Sequence, residues 1–90
     1  MEHANDSVIQ NAKHLVNIIT LLNAQCVDVL RVTLRGAQLV IRVKHCETCE
    51  RWIKGGDAYH FGTVAHGAEN KSCWAMDFLG CRIVWTKGIY

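Results

Sequence analysis

Ninety residues, half of them hydrophobic, leave room for one small domain, and ten basic against eight acidic side chains give a formal net charge of only +2. That near balance argues against a dedicated polyanion binder and against an acidic mimic of nucleic acid. A chain this short buries only about 60 to 65 per cent of its unfolded surface, so its stability margin is thin and association with a second copy is a natural remedy.

We expect a single domain over 1–90. Proline is absent, so seven glycines must do the turning. Five cysteines are an odd number, and no basic region precedes an apolar run with a small-residue cleavage site, so we expect a cytoplasmic protein with reduced thiols. The most apolar stretch, Leu15 to Leu22, is interrupted by Asn17 and Thr20 and falls far short of the roughly 20 residues that cross a bilayer.

Residues 7–25 read as a helix, with Ser7 as N-cap and Gln10 completing a capping box. Val8, Ile9, Ala12, Leu15, Val16, Ile18, Ile19 and Leu22 occupy about half of its circumference. A helix lying on one sheet needs an apolar arc of only about 100 degrees, so this stripe offers more than one sheet can cover.

A hairpin follows over 27–45. With Arg35-Gly36 as a two-residue turn, the pairs are 34/37, 32/39, 30/41 and 28/43. Leu30, Val32, Leu34, Leu39, Ile41 and Val43 then share the core face, while Val27, Val29, Arg31, Thr33, Gln38, Val40, Arg42 and Lys44 share the other. Arginine is a poor first turn residue because a type I′ turn needs positive φ there, so facial agreement carries this register.

Residues 46–54 form a short helix, stopped by Gly55-Gly56, with Glu47 to Arg51 and Glu50 to Lys54 as i,i+4 pairs. Residues 57–65 read as a third strand, followed by a turn over 66–71. From Cys73 onward a helix capped by Ser72 and Gly80 competes with one long strand that carries Trp74, Met76, Phe78, Cys81, Ile83 and Trp85 inward across a bulge at Gly80. The β-branched and aromatic residues of 81–86 favour the strand. The expected class is α+β: one N-terminal amphipathic helix packed on an antiparallel sheet of about four strands, with a short helix between strands 2 and 3.

Cys46-x-x-Cys49 after His45 has the spacing of half a zinc site, but the second short-spaced pair is missing, since Cys73 and Cys81 are eight apart and His60 and His66 six apart. We therefore expect no metal and no other cofactor. A redox reading of the same motif wants a βαβ setting, whereas a hairpin leads into it here. A thiol, histidine and acid constellation of Cys73, His60 or His66 and Asp57 is conceivable, yet no spacing selects it and no nucleophile elbow or phosphate-cradling loop appears, so no enzyme activity is expected.

Six of the ten cations lie between Arg31 and Lys54, where the only acids are Glu47 and Glu50. Valines interleaved with arginines on one sheet face suit a protein interface, and Arg31, Arg35, Val40, Arg42 and Lys44 are the expected partner-binding residues. The expected function is a non-enzymatic protein-binding module that occupies a surface on a larger protein or assembly, as a homo-oligomer. The alternative is a small nucleic-acid-binding regulator using the same cations, and the third reading is a zinc-stabilised module. In length and plain α+β make-up the chain resembles the small single-domain inhibitors that bacteriophages direct at host machinery, anti-CRISPR proteins among them, which would imply an inhibitory role.

Overall fold

The computed structural model describes residues 4–67 and 69–88, without the side chains of residues 4, 7 and 66. Two helices and five strands follow in the order α1 (Ala4–Ala24), β1 (Val29–Arg35), β2 (Gln38–Val43), α2 (Glu47–Lys54), β3 (Tyr59–His66), β4 (Glu69–Phe78) and β5 (Cys81–Gly88). The architecture is α+β, with α1 laid on the sheet and α2 inserted between the second and third strands.

The strands are ordered β1-β2-β5-β4-β3, and β5 runs parallel to β2 while every other neighbouring pair is antiparallel. The sheet is thus five-stranded and mixed, where about four antiparallel strands were expected. The extra strand arises at Leu79-Gly80. Both residues have positive φ, +50° and +81°, so a two-residue turn of type I′ pairs Phe78 with Cys81 and divides the expected long strand in two. Leucine is rare in that first position, which is why the sequence reads as a bulge.

The β1–β2 turn is also displaced. Gly36, with φ +59°, and Ala37 form it, so the pairs are Arg35–Gln38, Leu34–Leu39 and Val32–Ile41. Glycine supplies the positive φ that a type II′ turn needs at its first central position and that Arg35 resists. Each pairing moves by two positions from the expected register, so Val32, Leu39, Ile41 and Val43 keep their place on the core face, whereas Leu34, expected there too, is exposed beside the turn at 54%.

A bulge then overturns part of that assignment. Val29 pairs with Val43 and Arg31 with Arg42, leaving Leu30 as an extra residue. Side chains before the bulge change sides: Val29 packs against the core, Val27 is buried, and Leu30, expected in the core, is 60% exposed.

Helix α1 begins before Ser7 instead of being capped there, with Asp6 in its first turn facing the positive end of the dipole; the capping box's Ser7 side chain lies outside the described residues. Its other end is a Schellman motif. Cys26 is left-handed at φ +60°, its N–H reaches the Asn23 carbonyl, and the Val27 N–H reaches that of Leu22, both at 3.0 Å. The accompanying hydrophobic contact is supplied by Leu22 and Val27, both buried. Helix α2 ends the same way, with Gly56 at φ +79° in the left-handed position.

One core cluster joins Ile18 and Leu22 of α1, Cys49 of α2, and Ile41, Val43, Met76, Cys81, Ile83 and Trp85 of the sheet. Trp52 of α2 lies tilted against Trp85 with ring centroids 5.7 Å apart, and His14 donates from Nε2 to the Leu79 carbonyl at 2.6 Å. Both helices therefore cover the same face. The wide stripe on α1 is only partly used: Val8, Ile9 and Val16 are exposed, as is Leu21 outside the stripe. Among the described residues no helix is long and apolar enough to cross a membrane.

Candidate functional site

With both helices on one side, no element among the described residues covers the opposite face. Alternation places Arg31, Thr33, Arg35, Gln38, Val40 and Arg42 there from β1 and β2, Arg82, Val84 and Thr86 from β5, and Cys73, Ala75 and Asp77 from β4. Val40 lies beside Arg82 and Arg42 beside Val84 across the parallel pair. This face is open but not flat.

A second bulge shapes it. His60 pairs with Trp74 and Gly62 with Cys73, so Phe61 is the extra residue of β3. Phe61 borders a hollow of about 370 Å³ with Arg35, Val40, Arg82 and Val84, and another of about 230 Å³ with Arg42, Val64, Cys73 and Val84. A third, of about 110 Å³, adds Tyr59 and Ala75. A ring from an edge strand that borders the same hollow as Val40, three strands away, requires the face to curve into a trough. Its floor is small and apolar, Ala75 and Cys73 being buried and Val40 and Val84 half-buried, and its rim carries Arg35, Arg42 and Arg82.

The charge is lopsided. Arg82 meets Asp77 at 3.6 Å, an exposed contact worth well under about 1 kcal/mol. Arg31 and Arg42 face each other across the hairpin, a like-charge pairing that costs stability, and among the described residues neither they nor Arg35 have a carboxylate within salt-bridge reach.

Of the expected site residues, Arg31, Arg35, Val40 and Arg42 share this face, and Arg35, Val40 and Arg42 border the hollows. Lys44 lies just beyond β2, exposed and away from the hollows, its N–H bonded to the Asp28 carbonyl at 2.9 Å. Val27 and Val29 belong to the core side instead. Sequence reasoning missed Arg82, Val84, Phe61 and Tyr59. Gly62 inside a strand was the available signal for a bulge, which brings Phe61 and Val64 to border the same hollow.

The other constellations separate. Cys73 points to the trough whereas His60 lies on the helix side, its ring edge-on to Trp74 at 5.3 Å; the His66 side chain lies outside the described residues. Cys46 and Cys49 have their sulfurs 3.7 Å apart, and among the described residues no group of three or more His, Cys, Asp and Glu gathers to hold a metal ion. Glu50 is the hub beside them, accepting from His45 Nε2 at 2.9 Å and from Lys87 of β5. The Lys87 ammonium, then His45, hold its carboxyl below the usual carboxylate range.

No protein-family model matches the chain, and no curated protein and no solved structure shows significant similarity to it. The class defined by fold and site is a small α+β domain with one open, arginine-rimmed sheet face.

Proposed function

We propose that the chain is a non-enzymatic protein-binding module that seats an acidic, partly apolar segment of a larger protein or assembly in the trough of its open sheet face. The carrying observation is the set Arg31, Arg35 and Arg42, without carboxylate partners among the described residues, beside the apolar floor of Val40 and Val84. Arginine at the rim and aliphatic or aromatic groups at the centre match the make-up of protein interfaces. Occupying a surface is inhibitory when that surface is one the target needs, the mode of action implied by the likeness to phage inhibitors. In this reading the protein works in the cytoplasm, with reduced thiols, and the exposed Val8, Ile9, Val16 and Leu21 of α1 meet a second copy.

The test is affinity capture from the source cell with wild type, with Arg42→Glu plus Arg82→Glu, and with Lys54→Glu on α2 as a control outside the trough. A protein held by wild type and the control but lost by the charge-reversed variant supports the reading. Equal capture by all three overturns it. Light scattering reports the oligomer, and a strictly monomeric protein removes that part.

A second reading is favoured by Phe61 and Tyr59, exposed rings on the same face as Arg35, Arg42 and Arg82, since stacking planes among cations suit single-stranded nucleic acid. A mobility shift whose affinity falls steeply with salt would select it over the protein partner.

A further inference from the structure

Cys46-x-x-Cys49 lies outside the trough, and its geometry is that of a dithiol poised to close. Cys46 is the N-cap of α2, at φ −152° and ψ 178°, with no side-chain cap hydrogen bond at this helix start. The two sulfurs are 3.7 Å apart, already in van der Waals contact, against about 2.05 Å in a disulfide. Their surroundings differ. Cys46 is partly exposed while Cys49 is fully buried beneath it, its thiol directed at the Lys44 carbonyl.

We propose that Cys46 and Cys49 form a thiol–disulfide exchange site that takes a small-molecule disulfide of the glutathione class. Cys46 gives up its proton to solvent, and its thiolate attacks one sulfur of the incoming disulfide. A Cys46–glutathione bond forms as the glutathione disulfide bond breaks, and the first glutathione leaves as thiolate and takes a proton from solvent. Cys49 then attacks Sγ of Cys46, forming the Cys46–Cys49 bond and breaking the mixed disulfide, while its proton goes to the departing second glutathione. Two protein thiols are oxidised and one glutathione disulfide is reduced to two thiols.

Access supports this division of labour, because Cys46 is reachable from solvent whereas Cys49 is fully buried. Burial pushes the Cys49 thiol up to about 12, so Cys49 waits protonated at neutral pH while Cys46 makes the first attack. The strand-to-helix setting is closer to that of redox motifs than the sequence suggests, since β2, which leads into α2, does pair in parallel with β5. The remaining cysteines lack such a neighbour: Cys26 is exposed in the turn after α1, and Cys73 and Cys81 lie on opposite faces of the sheet.

The experiment exposes the full chain to excess oxidised glutathione, quenches with acid, tags free thiols and maps them by mass spectrometry. The expected result is joint loss of the tags on Cys46 and Cys49 about tenfold or more faster than on Cys73 or Cys81, with no glutathione retained on the pair, since a neighbouring thiol closes intramolecularly. Cys49→Ser, or Cys49→Ala where serine is poorly tolerated, should trap glutathione on Cys46. Wild-type protein that keeps both tags while Cys26 is modified, or that holds glutathione on Cys46 unresolved, overturns the proposal. The wild-type map decides the matter even when both variants fail to fold.

Discussion

Replacing Cys26 by glycine should stabilise the protein, whereas replacing it by alanine should not, and the sign of that difference can be worked from the end of α1. Cys26 occupies the left-handed position of the Schellman motif that Gly56 fills at the end of α2. A residue with a Cβ carries about 1 to 2 kcal/mol of strain in that conformation. Glycine removes the strain but adds about 0.4 to 1 kcal/mol of freedom to the unfolded chain. Because Cys26 is exposed, little packing is lost with its thiol. The glycine variant should therefore exceed the alanine variant by about 0.5 to 1 kcal/mol, which for a domain of this size is a rise in Tm of about 2 to 8 °C. At an ordinary helical or extended position the order would be reversed by a similar amount. Urea and thermal melts under reducing conditions measure the difference, and a glycine variant equal to or weaker than the alanine variant refutes the assigned geometry.

Ile41→Ala should cost about 2 to 5 kcal/mol because Ile41 is fully buried in the core cluster, whereas Leu30→Ala should cost less than about 1 kcal/mol because the bulge turns Leu30 outward; chemical denaturation that ranks them otherwise contradicts the observed register. Gly36→Ala should destabilise by about 1 kcal/mol, since space is free around the new Cβ but φ is +59°, and the same melts would detect it. Glu50 has a folded pKa below its unfolded value, so its contribution is fully present above the unfolded pKa, near about pH 4.3, and is lost as pH falls through the folded pKa. The stability gap between wild type and Glu50→Gln should narrow as pH falls below about 5; a gap that widens toward low pH rejects the hub at Glu50.

The elements that depend on periodicity were legible. The apolar spacing of Leu15, Ile18 and Leu22 found α1, and the alternation of Leu39, Ile41 and Val43 found the core face of β2, because burial imposes those periods directly. Irregular positions were not. Leu30 and Phe61 sit in bulges, each shifting the parity of its strand by one, and a single inserted residue leaves no mark in composition. Leu79 and Cys26 adopt positive φ without being glycine, so turn chemistry pointed away from both. The arginines of the hairpin were readable as one face. Arg82 and Phe61 reach that face only through the parallel pairing of β5 and the bulge of β3, which are tertiary facts.

Strand order carries a consequence for how the molecule assembles. The β1–β2 and β3–β4 hairpins are each local in the chain, yet neither touches the other within the sheet; β5, the latest strand in chain order, is the plank that bridges them. Folding is accordingly gated by a distant pairing, since the bridge from β2 to β5 spans some forty residues, Ile41 to Ile83, and closing so wide a loop slows the search. Until that plank is set, two sticky half-sheets exist side by side with their inner margins bare, and the trough has no floor.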